Sequence, residues 1–232
     1  QMPPARVYGD LYLYDPEGAR AAAFAGARLT AADLHDAGIT VNCTPVLDVP
    51  EAGSHDIIGD RAFSFDPDVV GDLGRAVVEG TLAGGVLPVI KHVPGHGRAR
   101  ADSHLALPRI DASAEELIEV DFRPFMALCH APLAMTAHVL LPAFDEKRPA
   151  SVSPVIMGEV IRELIGLTGL VISDDIGMKA LGGSMGERAV AVIDAGCDVA
   201  LHCSGDFDEM REVARVVPPL EGDSAGRFAA AI

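Results

Sequence analysis

Three histidines and one aspartate lie between residues 91 and 108, in a segment that follows an apolar strand and contains Gly95 and Gly97. Such segments are typical of functional loops. Asp102 and His104 are separated by one residue, so in a bent loop the carboxylate can hold one imidazole nitrogen, orient the ring and raise its basicity. Gly95 and Gly97 permit turns that other residues avoid, which allows the histidines to face one cavity. The pattern indicates acid/base chemistry.

Two other interpretations of these histidines stay open at this point. In the first, the imidazoles satisfy backbone groups in turns and have no chemical role. The second is a metal site, because His92 and His96 have the i, i+4 spacing that places two ligands on one face of a helix. Pro94 and Gly95 lie between them and disfavour a helix. We therefore expect no bound metal and no other cofactor.

A second candidate group follows the apolar residues 170–173, where Asp174 and Asp175 are adjacent. One of the two carboxylates can cap the next helix, a frequent role of aspartate. Because successive side chains of a strand point in opposite directions, the other carboxylate can face a cavity. Asp174 is the first residue past the strand, and it is the better candidate for a reacting group.

A third candidate is Arg61, which lies in the segment Ile57-Ile58-Gly59-Asp60-Arg61-Ala62-Phe63. This segment follows a predicted strand that ends near Asp48. An arginine in such a loop often forms only a surface ion pair. Its position beyond a strand end makes ligand binding a competing interpretation.

Five short apolar segments predict buried strands, and runs with helical periodicity separate them. The predicted strands cover residues 39–47, 86–91, 132–137, 169–173 and 198–203. Two predicted helices cover residues 67–83 and 185–195. A third opens with a capping box at Ser113, and a fourth lies between Ser153 and Gly166. This alternation predicts an α/β fold with a parallel sheet and helices packed outside it.

Polar residues stand at or just past the carboxyl end of each predicted strand, among them Asp48, Lys91, His138, Asp174 and His202. In a (β/α)8 TIM-type barrel these strand ends share one rim, which carries the active site. We therefore predict this barrel. Since five strands do not close it, we expect roughly the first three strands to be missing from this chain.

Length and composition restrict the function further. The 232 residues suit one catalytic barrel domain over residues 1–232, incomplete at its amino-terminal end. A formal charge of −16 repels nucleic acid phosphates and anionic membrane surfaces, so we expect neither as a partner. The four cysteines are widely spaced, which we interpret as reduced core residues of a cytoplasmic protein. No segment predicts a membrane span or a signal peptide, and we expect a monomer.

These segments together resemble the family 3 glycoside hydrolases, and within them the bacterial β-N-acetylglucosaminidases (β-hexosaminidases) of peptidoglycan recycling. The similarity runs from about Pro3 to Cys203, with Asp102-Ser103-His104 as its most discriminating motif. The other matching motifs are residues 44–49, 58–63, 91–97, 137–139, 173–175 and 194–198. A family segment similar to Asp-Gln-Glu-Gly-Gly-Arg, which precedes the part matching Pro3, is not in this chain.

The resemblance implies a retaining exo-hydrolase that removes N-acetyl-β-D-glucosamine from saccharides and muropeptides through a covalent glycosyl-enzyme. It implies Asp174 as nucleophile, His104 as acid/base and Asp102 as the partner of His104. The implied sugar-binding positions are Arg61, Lys91 and His92. There are three rival functions. The first is phosphorolysis, since a neutral histidine does not repel phosphate. The other two are a non-catalytic sugar-binding barrel fragment and a metal-dependent hydrolase. The metal-dependent rival uses His92, His96, His104 and Asp174.

Overall fold

The computed structural model describes residues 2–53, 57–100 and 106–232. In this part of the chain five parallel strands form one sheet in the order β1-β2-β3-β4-β5, so that each strand pairs with the one before it in sequence. The strands are β1 (Val41–Asn42), β2 (Leu87–Val93), β3 (Leu133–Thr136), β4 (Leu170–Asp175) and β5 (Val199–Leu201). This consecutive parallel order confirms the predicted α/β class and corresponds to five of the eight strands of a (β/α)8 barrel.

Helices connect the strands. The α-helices are α1 (Ala5–Tyr12), α2 (Pro16–Asp36), α3 (Pro67–Ala83), α4 (Ala114–Glu116), α5 (Arg123–Ala127), α6 (Met185–Ala195), α7 (Phe207–Val216) and α8 (Gly222–Ala231). Two π-helices cover Leu117–Asp121 and Ile156–Leu164, and two 3-10 turns cover Gly59–Arg61 and Ala150–Val152.

The predicted helices are confirmed at their ends, because their end signals are local in sequence. Ser113 and Ser184 each form a capping box with the glutamate three residues on. Gly196 ends α6 in the left-handed conformation, with φ of 111°. The helix that Ser153 caps is a π-helix and not an α-helix. Its backbone hydrogen bonds span five residues, for example from the Ile165 N–H to the Val160 carbonyl (2.8 Å).

The apolar side chains form a core on each face of the sheet. The larger cluster lies between the sheet and the helices and includes Ile90, Phe122 and Phe125. A smaller cluster covers the opposite face and includes Val89 and Leu133. Val89 and Ile90 are neighbours in β2 and belong to different clusters, as the alternation of a strand requires.

A buried carboxylate joins α8 to the sheet. Asp198, just before β5, is fully buried and accepts hydrogen bonds from Arg227 (2.6 Å) and Ser224 (2.6 Å) of α8. Its other oxygen accepts from the guanidinium of Arg162 (2.9 Å) and from the backbone N–H of Val171 (2.7 Å). Asp198 therefore binds α8, β4 and the second π-helix to one another.

The cysteines correct one prediction. All four are free thiols, as expected, but only Cys197 is fully buried, while Cys43 and Cys203 are exposed. Both exposed residues lie just past the carboxyl end of a strand, where the chain leaves the packed sheet. Among the described residues, no helix is long and apolar enough to cross a membrane.

Candidate active site

A cavity of about 340 Å³ opens at the carboxyl ends of the strands. Its walls come from the carboxyl ends of β2, β3, β4 and β5 and from the segments that follow β1, β2, β4 and β5. Four of the residues predicted from the sequence line it, namely Arg61, Lys91, His92 and Asp174. The other two, Asp102 and His104, lie outside the described residues. The structure thus brings together side chains that are up to 113 positions apart in sequence, from Arg61 to Asp174.

Asp48 holds the histidine that lines this cavity. Its Oδ2 lies 2.7 Å from Nδ1 of His92, and its Oδ1 accepts the backbone N–H of His96 (2.7 Å). Burial opposes ionisation of this carboxyl, but His92 and the N–H of His96 outweigh that effect and hold its pKa below the usual range. An ionised Asp48 accepts a hydrogen bond from Nδ1–H of His92, which fixes the orientation of the ring and leaves Nε2 for a ligand.

Lys91 and His92 both line the cavity, although adjacent residues of a regular strand point to opposite faces. The pairing of β2 with β3 shifts register between Lys91 and Val93, so this end of the strand is irregular. The Lys91–His92 peptide bond is cis. The backbone of Lys91 is fixed on its other side by hydrogen bonds with Pro45 (3.1 Å) and Leu47 (2.6 Å).

The loop after β2 packs closely against the segment after β1. A Cβ atom on Gly97 would lie 2.0 Å from the carbonyl oxygen of Val49, so this position accepts only glycine. Gly95 has φ of 141°, a conformation that side chains disfavour. His96, between these glycines, is buried, and burial lowers its pKa although Asp48 acts in the opposite direction. Its Nδ1 has no hydrogen-bond partner in the described part of the chain.

The two carboxylates at the end of β4 have different environments. Asp175 Oδ1 accepts the backbone N–H groups of Gly177 (2.9 Å) and Cys203 (3.1 Å), so it fixes the turn after the strand. Asp174 Oδ1 accepts only the N–H of Asp175 (2.8 Å), and no described residue donates to its Oδ2. Both carboxylates line the cavity, but Asp175 is held in the turn, whereas Oδ2 of Asp174 has no described donor. The assignment of Asp174 as the reacting group stays a prediction.

His138 forms a hydrogen bond with the backbone at the end of β4. It is fully buried, with Nδ1 at 2.6 Å from the Ser151 hydroxyl and Nε2 at 3.1 Å from the carbonyl oxygen of Asp175. Burial lowers its pKa, and Asp174 opposes this change. The ring is therefore neutral, donates from Nε2–H to the carbonyl and accepts from the hydroxyl at Nδ1.

Arg61 enters the cavity from a 3-10 turn. Its guanidinium donates to the carbonyl oxygen of Ile57 (2.7 Å), which sets the direction of the side chain. No other described residue accepts from this guanidinium, so within the described ranges its remaining N–H groups can bind an oxygen-rich ligand. In the described ranges, no three His, Cys, Asp or Glu side chains are grouped in a way that could hold a metal ion.

Sequence reasoning did not assign roles to Asp48 and His138. Both stood out only as polar residues at strand ends. Their partners are distant in sequence, 44 residues away for the Asp48–His92 contact and 37 for the His138–Asp175 contact. The signal that the sequence offered for Asp48 and His138 was a polar residue in an apolar run. This signal does not identify the residue with which each of them pairs.

Comparison with known proteins identifies the family. Residues 3–226 match the model of the glycosyl hydrolase family 3 N-terminal domain. A protein named beta-hexosaminidase from Methylobacillus flagellatus is 34% identical over 99% of this chain and 66% of its own length. This chain therefore spans slightly less than two thirds of that relative.

Solved structures of the same family are also similar. NagZ from Neisseria gonorrhoeae, solved in complex with N-trifluoroacetyl-D-glucosamine, has a TM-score of 0.90 and 33% identity, over 100% of this chain and 67% of its own. A family 3 β-N-acetylglucosaminidase from Paenibacillus has a TM-score of 0.83 and 30% identity, over 91% of this chain and 43% of its own. The chain belongs to glycosyl hydrolase family 3, as its N-terminal domain.

Proposed function

We propose that the protein is a retaining exo-β-N-acetylglucosaminidase with Asp174 as its nucleophile. The observation that carries the proposal is the meeting of Asp174, Lys91, His92 and Arg61 in one cavity at the carboxyl rim of the sheet. A relative of similar fold binds N-trifluoroacetyl-D-glucosamine, which supports an N-acetylglucosamine unit as the ligand.

Hydrolysis with retention takes two displacements at the anomeric carbon. In the first, Asp174 attacks that carbon while His104 protonates the departing oxygen. In the second, His104 removes a proton from water, and the water releases the sugar from Asp174. Asp102 orients His104 and stabilises its imidazolium form. The roles of Asp102 and His104 come from the sequence motif alone.

Lys91, His92 and Arg61 bind sugar hydroxyl and carbonyl groups in this proposal. The ammonium and guanidinium groups donate hydrogen bonds, and Nε2 of His92 forms a further one. Because Asp48 fixes the orientation of His92, the ring is already in place before the sugar enters. Such preorganisation lowers the entropic cost of binding.

The biological substrate in this proposal is a peptidoglycan-derived muropeptide, and the setting is peptidoglycan recycling in the cytoplasm by a monomer. The resemblance to the bacterial β-N-acetylglucosaminidases supports the substrate. Free thiols at all four cysteines support a reducing compartment. The acidic charge of −16 supports a partner other than nucleic acid.

The test is release of 4-nitrophenol from its N-acetyl-β-D-glucosaminide by the purified chain and by its Asp174→Ala variant, with and without EDTA. We expect activity that resists the chelator and is lost in the variant. Activity that EDTA removes would contradict the metal-independent mechanism. Formation of N-acetylglucosamine 1-phosphate in phosphate buffer would replace hydrolysis by phosphorolysis. Binding of N-acetylglucosamine without any turnover would leave only a sugar-binding domain.

A further inference from the structure

The end of β4 that carries Asp174 extends past the regular part of the sheet. The register between β3 and β4 is last paired at Met135 and Ile172, so residues 173–175 of β4 lie beyond it. On the other side, the pairing of β4 with β5 shifts register between Ile172 and Asp175. Backbone groups in this part of β4 therefore need partners other than a regular ladder.

The imidazole of His138 is one such partner. Its Nε2 lies 3.1 Å from the carbonyl oxygen of Asp175, and its Nδ1 lies 2.6 Å from the hydroxyl of Ser151. Ser151 belongs to a 3-10 turn that is itself fixed, because the Ala150 N–H donates to the carbonyl of Val139 (2.8 Å). The ring is fully buried and bonded at both nitrogens, so it is held in one orientation.

Asp175 connects this ring to the proposed nucleophile. Its carbonyl oxygen accepts from His138, and its N–H donates to Oδ1 of Asp174 (2.8 Å). Because peptide units are planar, only two soft torsions of Asp175 separate these two groups. The direction of the N–H, and with it the place of the Asp174 carboxylate, therefore depends on the bond that His138 makes.

The charge of the ring suits this arrangement. Burial lowers the pKa of His138, while the carboxylate of Asp174 acts in the opposite direction. A neutral imidazole fixes the end of the strand without placing a cation against the carboxylate that must attack. Stability alone would be served by any buried side chain that satisfies the same groups, so the choice of partner is what the experiments below examine.

We propose that His138, held by Ser151, is a positioning residue for the carboxylate of Asp174. The inference rests on the proposed glycosidase function and adds a residue to it. His138 is not among the described residues that line the cavity, so it acts through the backbone of Asp175 and not by touching the sugar. A displacement of about 1 Å at an attacking atom is enough to slow a reaction roughly 100-fold.

The probe is 2-acetamido-2-deoxy-5-fluoro-β-D-glucopyranosyl fluoride, which isolates the attack by Asp174. An oxygen of the carboxylate forms a bond with the anomeric carbon while the bond from that carbon to fluorine breaks, and fluoride leaves with the electron pair. Departure of fluoride does not require a general acid, and the remaining fluorine slows release of the sugar. The covalent adduct therefore accumulates, and intact mass measured against time gives an inactivation rate constant and a binding constant.

Two amides divide the contacts of His138 between them. His138→Asn keeps an acceptor near the position of Nδ1 but loses the donor to Asp175, whereas His138→Gln carries its amide N–H near the position of Nε2. We expect the inactivation rate constant to fall roughly 10- to 100-fold in His138→Asn and to stay within about fivefold of wild type in His138→Gln. The binding constant should change by less than about threefold in both. Equal losses in the two variants, or none in His138→Asn, would overturn the proposal.

Other substitutions separate this effect from lost stability. Arg227→Ala breaks the buried contact with Asp198, far from the cavity, and should label at the wild-type rate at a temperature where it stays folded. A loss in Arg227→Ala equal to that in His138→Asn would overturn the proposal. Should His138→Asn fail to fold, Ser151→Ala takes its place, because it frees the ring without removing it. We expect a loss of roughly 3- to 10-fold in its inactivation rate constant, and an unchanged rate would overturn the proposal.

Amide hydrogen exchange, measured by NMR, separates this inference from the proposed function. The N–H of Asp175 should exchange faster in His138→Asn than in wild type, while the N–H of Val171, which Asp198 holds at the other end of β4, should not change. Unchanged exchange at Asp175 would overturn the proposal. If the fluoride does not label the wild-type chain, the proposed function fails for this chain, and the exchange at Asp175 still decides whether His138 holds the end of the strand.

Discussion

His92 Nδ1 and Asp48 Oδ2 are 2.7 Å apart, and Asp48 is fully buried beneath the cavity. The same carboxylate accepts the backbone N–H of His96, so it fixes both the ring that lines the cavity and the loop that follows. Removing the charge of Asp48 is therefore expected to affect both the His92 ring and the loop at His96.

We expect Asp48→Asn to lower the free energy of unfolding by about 1.5 to 3 kcal/mol, the usual value of hydrogen bonds to a charged group. We also expect a roughly tenfold weaker affinity for N-acetylglucosamine, because the tautomer of His92 is no longer fixed. Urea unfolding and calorimetric titration measure the two effects. Asp72→Asn is the control, since Asp72 pairs with Arg20 on the surface of α3, and it should leave the affinity unchanged.

Asp174 and Asp175 provide a matched pair of substitutions. Asp174→Asn should lower kcat at least roughly 10³-fold, because it removes the proposed nucleophile, with little change in stability. Asp175→Asn should cost about 1 to 3 kcal/mol of stability, because its carboxylate holds the N–H groups of Gly177 and Cys203. Thermal unfolding and steady-state kinetics distinguish them. The assignment of Asp174 is wrong if Asp174→Asn keeps its turnover.

Asp198 allows a prediction about stability alone. Arg227→Ala removes one of its two arginine partners, and we expect a loss of about 3 kcal/mol. Arg123→Ala, which breaks the exposed pair with Asp68, should cost less than about 1 kcal/mol. Equal losses in the two variants, measured by chemical denaturation, would contradict a special role for the buried carboxylate.

The pKa of Asp198 gives this contact a pH dependence. Burial opposes its ionisation, but the hydrogen bonds from Arg227 and Ser224 outweigh burial and hold the pKa below its usual range. The unfolded chain therefore takes up this proton first as the pH falls. The stabilisation is complete above the unfolded pKa of about 3.9 and is lost as the pH falls through the lower, folded value.

Asp121 should show the opposite dependence. Burial raises its pKa to about 6, although Arg98 acts in the other direction. The folded protein therefore binds this proton before the unfolded chain does, and its stability relative to Asp121→Asn should increase by about 2 to 3 kcal/mol as the pH falls from 7 to 4. Parallel urea titrations of the two proteins measure the difference. A difference that is independent of pH would mean that the carboxyl titrates normally.

Gly97 tests the close approach of two loops. Gly97→Ala places a methyl group 2.0 Å from the carbonyl oxygen of Val49, so one backbone must move. We expect a loss of about 1 to 3 kcal/mol, with weaker sugar binding because His92 lies on the same segment. Gly158→Ala is the control, because a Cβ there meets nothing within 4 Å. Equal unfolding midpoints for the two variants would contradict the steric explanation.

The strands and the helices between them were predictable because their signals are local, whereas helices α1, α2, α7 and α8 were not predicted. The capping boxes at Ser113 and Ser184 and the glycine at 196 depend on residues within one turn of the helix. The predicted strand at 39–47 is the partial exception. Only Val41–Asn42 is regular strand, because Pro45 has no N–H to donate, and pairing resumes in an isolated bridge from Val46 to Lys91.

Four residues of the cavity lining were predictable from the sequence, but their contacts were not. Strand ends share one rim in a barrel, and this rule placed Lys91, His92 and Asp174 together. No such rule connects His138 with Asp175, which are 37 residues apart. The sequence also assigned conformational freedom to both glycines of the loop, whereas Gly97 is required by its contact with Val49.

The consecutive order of the strands has a consequence for how new specificities arise. Arg61, Lys91 and His92 all precede β3, as do Asp102 and His104, whereas Asp174 lies near the end of β4. In the proposed mechanism, sugar recognition and proton transfer therefore belong to one stretch of the gene and the nucleophile belongs to another. Exchange of the segment from β4 onward between homologues would retain the proposed sugar-binding and acid/base residues and replace the nucleophile, which makes the segment just before β4, near Leu167, a natural place for recombination.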